Sequence, residues 1–251
     1  MKSYLSVRNN LPAIGYCLLT IGLFSSCSKN NDKNPTPNIA GFMAFNLAPD
    51  KPLIGIALSG NHLNAPLPYT SYTGGYIGIY PGTRPVEAYD ASSGNTFASA
   101  TYSFEPNKYY SCFITGMNGT YDNIIVNDHL DTLAGTAGSA YIRYINAIPD
   151  SSKPTVTIND GQNEVVNDNP GFATVSAFTP VKTGSVSIDI DNGSTIKADR
   201  TITLEDRKTY TLLFIGNPTG SGANDSIQIR YIENGTLKQD STAQGLTKDS
   251  N

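Results

Sequence analysis

The sequence is poor in the residues from which most reaction and metal sites are built. It has no tryptophan, two histidines and three cysteines, and charged residues make up only 15% of its 251 residues. Neither His62 nor His129 has a companion at the spacing of a metal cage. No Gly-x-Ser-x-Gly elbow occurs, so that type of nucleophile is not indicated. We therefore expect a protein that is not an enzyme and that has no cofactor and no metal site.

A hydrophobic run long enough to form a permanent membrane helix is also missing at the N-terminus. The apolar run from Leu11 to Phe24 covers about 14 residues, whereas a spanning helix needs about 20. Lys2 and Arg8 precede this run, and small residues lead from it to Cys27. This is the layout of a secretory signal, so residues 1–26 are predicted to be removed.

The cysteine at the cleavage site resembles the lipobox of bacterial lipoproteins, in which the thiol is acylated and the cysteine becomes the first mature residue. Phe24 stands where leucine is usual, and an ordinary signal with an incidental Cys27 is the alternative. The polar composition of residues 28–38 cannot form a core. Residues 27–38 are therefore predicted to be a lipidated cysteine and a tether.

The lipobox resemblance implies an anchor of several acyl chains, palmitate among them, and such an anchor is effectively permanent. Ser28, rather than Asp, favours the outer membrane, on either its cell-surface or its periplasmic face. Because Cys17 leaves with the signal and Cys27 is lipidated, only Cys112 remains, and no intramolecular disulfide can form. The mature chain keeps 15 basic and 21 acidic residues, a net charge of −6, so nucleic acid is not an expected partner.

The chain repeats itself with an offset of 100 residues. Asn46, Pro49 and Asp50 match Asn146, Pro149 and Asp150; Glu105, Lys108, Tyr110 and Gly116 match Glu205, Lys208, Tyr210 and Gly216. This period is right for tandem domains. We predict repeats at 39–132 and 138–237, a linker at 133–137 and a disordered tail at 238–251.

Short apolar runs separated by turn signals every 8 to 12 residues predict an all-β fold. In both repeats an apolar residue precedes a tyrosine by six, at Phe104 and Tyr110 and at Leu204 and Tyr210. This spacing resembles the tyrosine corner of immunoglobulin-like domains. We therefore expect two tandem immunoglobulin-like antiparallel β-sandwiches. In the second repeat the predicted strands are Tyr141–Ile148, Thr155–Ile158, Thr174–Phe178, Val186–Ile190, Ala198–Leu204, Tyr210–Ile215 and Ser226–Tyr231, with turns at Asp160-Gly161, Asn192-Gly193 and Asn234-Gly235.

The two openings, Phe45-Asn46-Leu47-Ala48-Pro49-Asp50 and Tyr144-Ile145-Asn146-Ala147-Ile148-Pro149-Asp150, resemble the family catalogued as domain of unknown function 4397. In each repeat a later glycine and a tyrosine-containing strand that ends in glycine extend the resemblance over nearly all of the mature chain. It implies tandem extracytoplasmic β-domains, and it implies neither a reaction nor a ligand.

Several polar motifs have structural interpretations. Asp189–Thr195 resembles the start of a calcium loop, but it lacks the closing ligands, and a hairpin turn explains it better. Asp50 and Asp150 follow proline, where aspartate caps turns. Cys112 aligns with Leu212 and is predicted to be a buried core residue. His129 is assigned to the interdomain linker.

A tyrosine-rich segment, Tyr69, Tyr72, Tyr76 and Tyr80, is the one candidate ligand surface. Alignment of Tyr72 with Phe172, and of Tyr76 with Phe178, predicts that these two belong to the core. Tyr69 and Tyr80 remain as candidate ligand contacts. We expect an outer-membrane lipoprotein that serves as a binding, adhesion or scaffolding module for a glycan or protein ligand. The alternatives are a structural subunit of a periplasmic or outer-membrane complex and, less favoured, a glycan-active hydrolase.

Overall fold

A computed structural model describes residues 38–161, 163–222, 225–239 and 245–247. They belong to one compact unit, Pro37–Asn251. The predicted signal peptide, Cys27 and almost all of the tether lie outside the described residues. Within the described residues, no helix is both long and apolar enough to cross a membrane.

The first repeat contains eight strands and ends in a short 3-10 helix, Leu130–Thr132. The strands are β1 (Ala40–Asn46), β2 (Leu53–Leu58), β3 (Asn61–Pro68), β4 (Ile77–Ile79), β5 (Gly82–Asp90), β6 (Thr96–Phe104), β7 (Tyr109–Met117) and β8 (Thr120–Asn127).

The second repeat has the same eight-strand plan. Its strands are β9 (Ser139–Asn146), β10 (Thr155–Asp160), β11 (Asn163–Asp168), β12 (Thr179–Lys182), β13 (Gly184–Asp191), β14 (Lys197–Leu204), β15 (Lys208–Ile215) and β16 (Gln228–Thr236).

Each repeat is a sandwich of two four-stranded sheets, which confirms the predicted all-β tandem fold. The first repeat has the orders β4-β1-β7-β8 and β3-β2-β5-β6, and the second has β12-β9-β15-β16 and β11-β10-β13-β14. The first strand of each repeat pairs parallel with the seventh, β1 with β7 and β9 with β15. This order differs from the immunoglobulin order, in which the first two strands share a sheet. The immunoglobulin-like detail is therefore not confirmed.

The two sheets that contain β1 and β9 are buried on both faces. The central strands β1, β7, β9 and β15 are accordingly buried along almost their whole length. In the other two sheets, β13 alternates between buried and more exposed positions, whereas β2 is buried from Ile54 to Leu58. One face of each central sheet packs into its own sandwich. The other faces meet and form a third core, which we call the junction: Met43, Phe45, Leu47, Phe113, Ile145, Ala147, Leu213 and Ile215.

The repeated motifs have structural roles in both copies. The Asn46 side-chain amide donates to the backbone oxygens of Lys51 and Leu67, and the equivalent Asn146 amide donates to the backbone oxygen of Pro170. The predicted tyrosine corners are present, since the backbone N–H of Glu105 donates to the Tyr110 hydroxyl at 2.8 Å, and Glu205 donates to Tyr210 at 3.1 Å.

Some local predictions differ from the structure. Thr174–Phe178 is not a strand, the strand β11 was not predicted, and Asn234-Gly235 lies inside β16 rather than in a turn. Gly245–Thr247, within the predicted disordered tail, folds back, because the Lys238 N–H donates to Gly245 and the Thr247 N–H donates to Thr236. Asp191 and Asn192 close the β13–β14 hairpin through bonds to backbone N–H groups, as the hairpin interpretation predicts.

Candidate functional site

The tyrosine-rich segment runs along the edge of β1. Tyr72 stacks on Phe45 with ring centroids 5.5 Å apart, so it packs against the junction. It bridges Phe45 as Val175 bridges Ile145, so its equivalent is Val175, and the predicted alignment with Phe172 was wrong. The predicted pairing of Tyr76 with Phe178 is confirmed by the register of the strands that follow them.

The two candidate contacts lie apart. Tyr80 is 64% exposed and follows β4, which pairs with the start of β1. Tyr69 is half-buried near the end of β1, since the neighbouring Thr70 N–H donates to Asn46. The rise of a seven-residue strand separates them by about 20 Å. Burial raises the pKa of Tyr69 to about 12, with Arg230 of the second repeat opposing this shift. The structure therefore does not bring Tyr69 and Tyr80 into one site.

A buried ion pair lies at the centre of the junction. Arg143 of β9 donates through Nη1 to Asp128 Oδ1 at 2.5 Å, and both side chains are at most 2% exposed. Arg143 also donates to Ser111 Oγ at 2.7 Å and through Nε to Thr211 Oγ1 at 2.9 Å. Its guanidinium lies 4.6 Å from the ring centroid of Phe178. Arg143 thus binds side chains of both repeats.

Further hydrogen bonds complete this group, which we call the junction network. The Tyr76 hydroxyl donates to Asp128 Oδ2 at 2.5 Å, and Ser111 donates to the same oxygen at 2.8 Å. Thr211 donates to Asn234, whose amide reaches Tyr76 at 3.3 Å. Burial, followed by the Asp128 charge, raises the pKa of Tyr76 well above its usual value. The network fixes the two repeats against each other with directional bonds.

This network was not predicted from the sequence. Asp128 directly precedes His129, which was assigned to the linker, and Asn234 was placed in a turn. Asn234 is instead the extra residue of a bulge in β16, which turns its amide towards the junction. The usable signal was Arg143, a charge inside an otherwise buried strand whose equivalent in the first repeat is Met43.

Both repeats also line an open cavity of about 420 Å³, which we call the junction groove. Its surface is mainly apolar, and Lys153 and Asp150 add one charge of each sign. The first repeat contributes Gly116, Met117 and Thr120, and the second contributes Pro149, Asp150, Ser151, Lys153, Gly171 and Phe172.

The opposite side of the junction is built differently. Thr70 and Ala173 occupy equivalent left-handed positions, which makes Tyr69 the equivalent of Phe172. On the Tyr69 side, Arg230 crosses the junction and donates to Thr70 Oγ1 at 2.6 Å. On the groove side, only Asn118 and Gly119 separate β7 from β8, whereas residues 216–227 join β15 to β16. The groove is therefore a feature of one side of the junction.

The model of the family described as "Domain of unknown function (DUF4397)" matches the chain twice, over residues 41–153 and 140–246. The chain belongs to the DUF4397 family. The predicted tandem pair of DUF4397 repeats is confirmed.

No curated protein sequence matches the chain. Among solved structures, it is similar to a "putative cell adhesion protein" from Bacteroides eggerthii, with 11% identity over 83% of this chain and 96% of that one, at a TM-score of 0.23. A leucine-rich repeat protein from Bacteroides thetaiotaomicron shares 9% identity over 72% of this chain and 26% of that one, at a TM-score of 0.16. TM-scores this low carry no information on the fold or function of the DUF4397 pair.

The remaining candidate residues of the DUF4397 pair have structural positions. Cys112 is fully buried in the first core, as predicted, and burial raises the pKa of its thiol. His129 is exposed and precedes the 3-10 helix, whereas His62 lies in β3. Asp50 accepts bonds from the Asn118 N–H and the Tyr121 hydroxyl, so it caps a hairpin from another part of its repeat. Within the described part of the chain, no three His, Cys, Asp or Glu side chains are grouped to hold a metal ion.

Proposed function

We propose that the protein is a non-enzymatic lipoprotein of the outer membrane, in which acyl chains on Cys27 anchor a rigid pair of DUF4397 repeats that binds a glycan or protein ligand. The charged start, short apolar run and small residues before Cys27 support the anchor. The polar residues 28–38 support a tether between the lipid and β1.

The junction groove carries the binding proposal. Ligand sites favour interfaces between domains, have volumes of about 300 to 1,000 Å³ and combine an apolar lining with a few polar groups. The groove meets these conditions, with Phe172 and Met117 in its lining and Lys153 and Asp150 beside them. Its two walls come from different repeats, and the junction network keeps those walls at a fixed separation. Such preorganisation lowers the entropic cost of binding.

Metabolic labelling with a palmitate analogue tests the anchor. We expect label on the native protein and on Cys17→Ser, because Cys17 lies within the predicted signal. Cys27→Ser should lose the label. Label that persists on Cys27→Ser contradicts the proposed anchor.

Protease treatment of intact cells, with a periplasmic protein as control, tests the address. Loss of the protein while the control survives supports a ligand outside the cell, such as a host glycan or protein. Survival of both directs the search to the periplasm and to partners found by crosslinking, and it removes the adhesion form of the proposal.

Binding screens of the purified chain against glycan and envelope-protein arrays test the groove. We expect Phe172→Ala and Lys153→Ala to weaken binding at least tenfold, whereas Tyr80→Ala, far from the groove, should bind normally. A ligand whose affinity is the same for all three variants does not use the groove, and that result would overturn its assignment.

A further inference from the structure

The outer face of the sheet β3-β2-β5-β6 carries two aromatic rings in contact. The rings of Tyr89 on β5 and His62 on β3 have centroids 4.7 Å apart at an interplanar angle of 32°. Both side chains belong to the face opposite the first core, because the inward positions of β2 and β5 are Ile54, Ile56, Val86 and Ala88. We call this pair the ring platform.

A glycine under the platform makes room for one of its rings. Gly55 lies in β2, directly opposite Tyr89, and a Cβ atom at position 55 would overlap the Tyr89 ring. Glycine inside a strand weakens it, and it marks a place where another group must approach the backbone closely. The next outward residue of β2, Ala57, is only 3% exposed, although it lies on an outer face. The Tyr89 ring therefore lies directly over the backbone of β2, where the outward residues Gly55 and Ala57 have little or no side chain.

Polar groups surround the rings. A row across the sheet places His62, Ala57, Glu87 and Ser99 opposite one another on β3, β2, β5 and β6. Thr96 lies opposite Tyr89 on β6. Ser99 and Thr96 are exposed, and Glu87 is partly exposed. At a centroid separation of 4.7 Å and an interplanar angle of 32° the two rings overlap, so the platform offers the free face of a stacked pair, bordered by the Glu87 carboxylate and by hydroxyl groups.

The second repeat does not reproduce the platform. The registers of β10, β11 and β13 place Thr157 at the position of Gly55, Asp189 at that of Tyr89 and Glu164 at that of His62. The glycine and both rings of the platform are thus all replaced in the second repeat. The shared fold does not need them, since the second sandwich forms the same sheet without them.

We propose that the ring platform is a carbohydrate-binding site, separate from the junction groove, on which one pyranose ring stacks. A pyranose presents a face of C–H groups that packs on an aromatic ring, while its equatorial hydroxyls point sideways to acceptors and donors such as Glu87, His62 and Ser99. A site that binds the apolar surface of another protein would instead need a contiguous apolar patch around the rings. Here the neighbours on β2 are Gly55 and Ala57, and those on β6 are hydroxyl residues.

The absence of tryptophan from the chain makes the test direct. Tyr89→Trp places a single tryptophan on the platform, and Tyr80→Trp serves as an exposed control elsewhere. Both full-length mature chains are titrated with chitohexaose, cellohexaose, mannohexaose and decaproline, after a glycan array has added any stronger sugar to the set. We expect a saturable emission change with at least one sugar for Tyr89→Trp and none for Tyr80→Trp.

Loss variants complete the test. In the otherwise native chain, Tyr89→Ala should weaken binding of that sugar at least tenfold, and Glu87→Gln should weaken it severalfold, with urea midpoints used to confirm folding. Should Tyr89→Ala unfold, His62→Ala and Glu87→Gln carry the same test. Phe172→Ala should bind the sugar normally, which separates this proposal from that of the groove. No sugar bound on the array, equal affinities for all variants, or a response to decaproline alone would each overturn the proposal.

Discussion

Arg143 shows how one residue can decide the relation between two repeats. A buried charge is tolerated only when it is paired and its remaining hydrogen-bonding groups are satisfied. Arg143 meets this condition only by binding Asp128 and Ser111 of the first repeat and Thr211 of its own. Met43 and Asn234 occupy the equivalents of Arg143 and Asp128, so the chain itself suggests a neutral replacement for the pair.

Arg143→Met should destabilise the protein strongly, by about 3 to 5 kcal/mol, because it leaves the Asp128 carboxylate buried without its partner. The double variant Arg143→Met, Asp128→Asn should be clearly more stable than Arg143→Met alone. It introduces at these positions the two neutral residues, methionine and asparagine, that the chain has at the equivalent positions 43 and 234. Urea unfolding of both single variants and the double variant measures this coupling. Losses that simply add would contradict it.

The tyrosine corners should each contribute to the stability of the protein. Tyr110→Phe and Tyr210→Phe remove the acceptors of the Glu105 and Glu205 backbone N–H groups. We expect each to lower the free energy of unfolding by about 0.5 to 1.5 kcal/mol. Tyr80→Phe, which changes an exposed ring, is the matched control and should leave the urea midpoint unchanged.

At the scale of strands and turns, elements were predictable from the sequence where apolar residues recur in a regular pattern, and were not predictable where most residues are polar. The strands β13, β14 and β15 were predicted to within two residues at each end because most of their buried positions are Val, Ile, Leu or Phe. The edge strand β11 has the sequence Asn-Glu-Val-Val-Asn-Asp, which carries no such pattern. Asn234-Gly235 has the composition of a turn, but the pairing of β16 with β15 overrides that local preference.

The same limit explains which site residues were found. Tyr76 could be assigned to the core because Phe178 is its apolar equivalent. Tyr72 was assigned to the core through the wrong partner, Phe172, although its equivalent, Val175, is also apolar. Asp128 and Tyr89 could not be recognised, since each acquires its role from residues far along the chain that only the folded sheets bring near.

Gly116 should be the costliest hairpin glycine to replace in the first repeat. Its φ of +103° is unfavourable for other residues, and a Cβ atom would overlap the Thr120 backbone oxygen. Such backbone strain alone costs about 1 to 3 kcal/mol. Gly116→Ala should lose at least that much stability, whereas Gly75→Ala, at an open position, should change it little. Thermal or urea unfolding checks the difference, and equal losses would contradict the assignment.

At the scale of the whole molecule, the third core makes the repeats interdependent. Each central sheet would expose apolar side chains such as Phe45, Phe113, Ile145 and Leu213 if its partner unfolded. The free energy of burial at the junction is therefore available only while both repeats are folded.

Both repeats should therefore unfold in one transition. Tyr102→Trp and Tyr141→Trp, each the only tryptophan in its variant, report separately on the first and second repeat. In each variant we expect the urea midpoint from tryptophan emission to equal the midpoint from circular dichroism. The midpoints of the two variants should differ only by the effect of each substitution on stability. An early transition at one reporter only would show that the junction does not couple the repeats.

The covalent link between the repeats also determines which residues the junction can contain. Two identical single repeats that met through this face would form a dimer, and every change at the contact would appear twice. An arginine at position 143 would then appear at position 43 as well, and its acid would appear at both 128 and 234. Joining the copies in one polypeptide removes that restriction, so Asp128 in one copy can correspond to Asn234 in the other, and Arg143 to Met43. A covalent link between the repeats thus allows the two halves of a pseudo-symmetric surface to differ from each other.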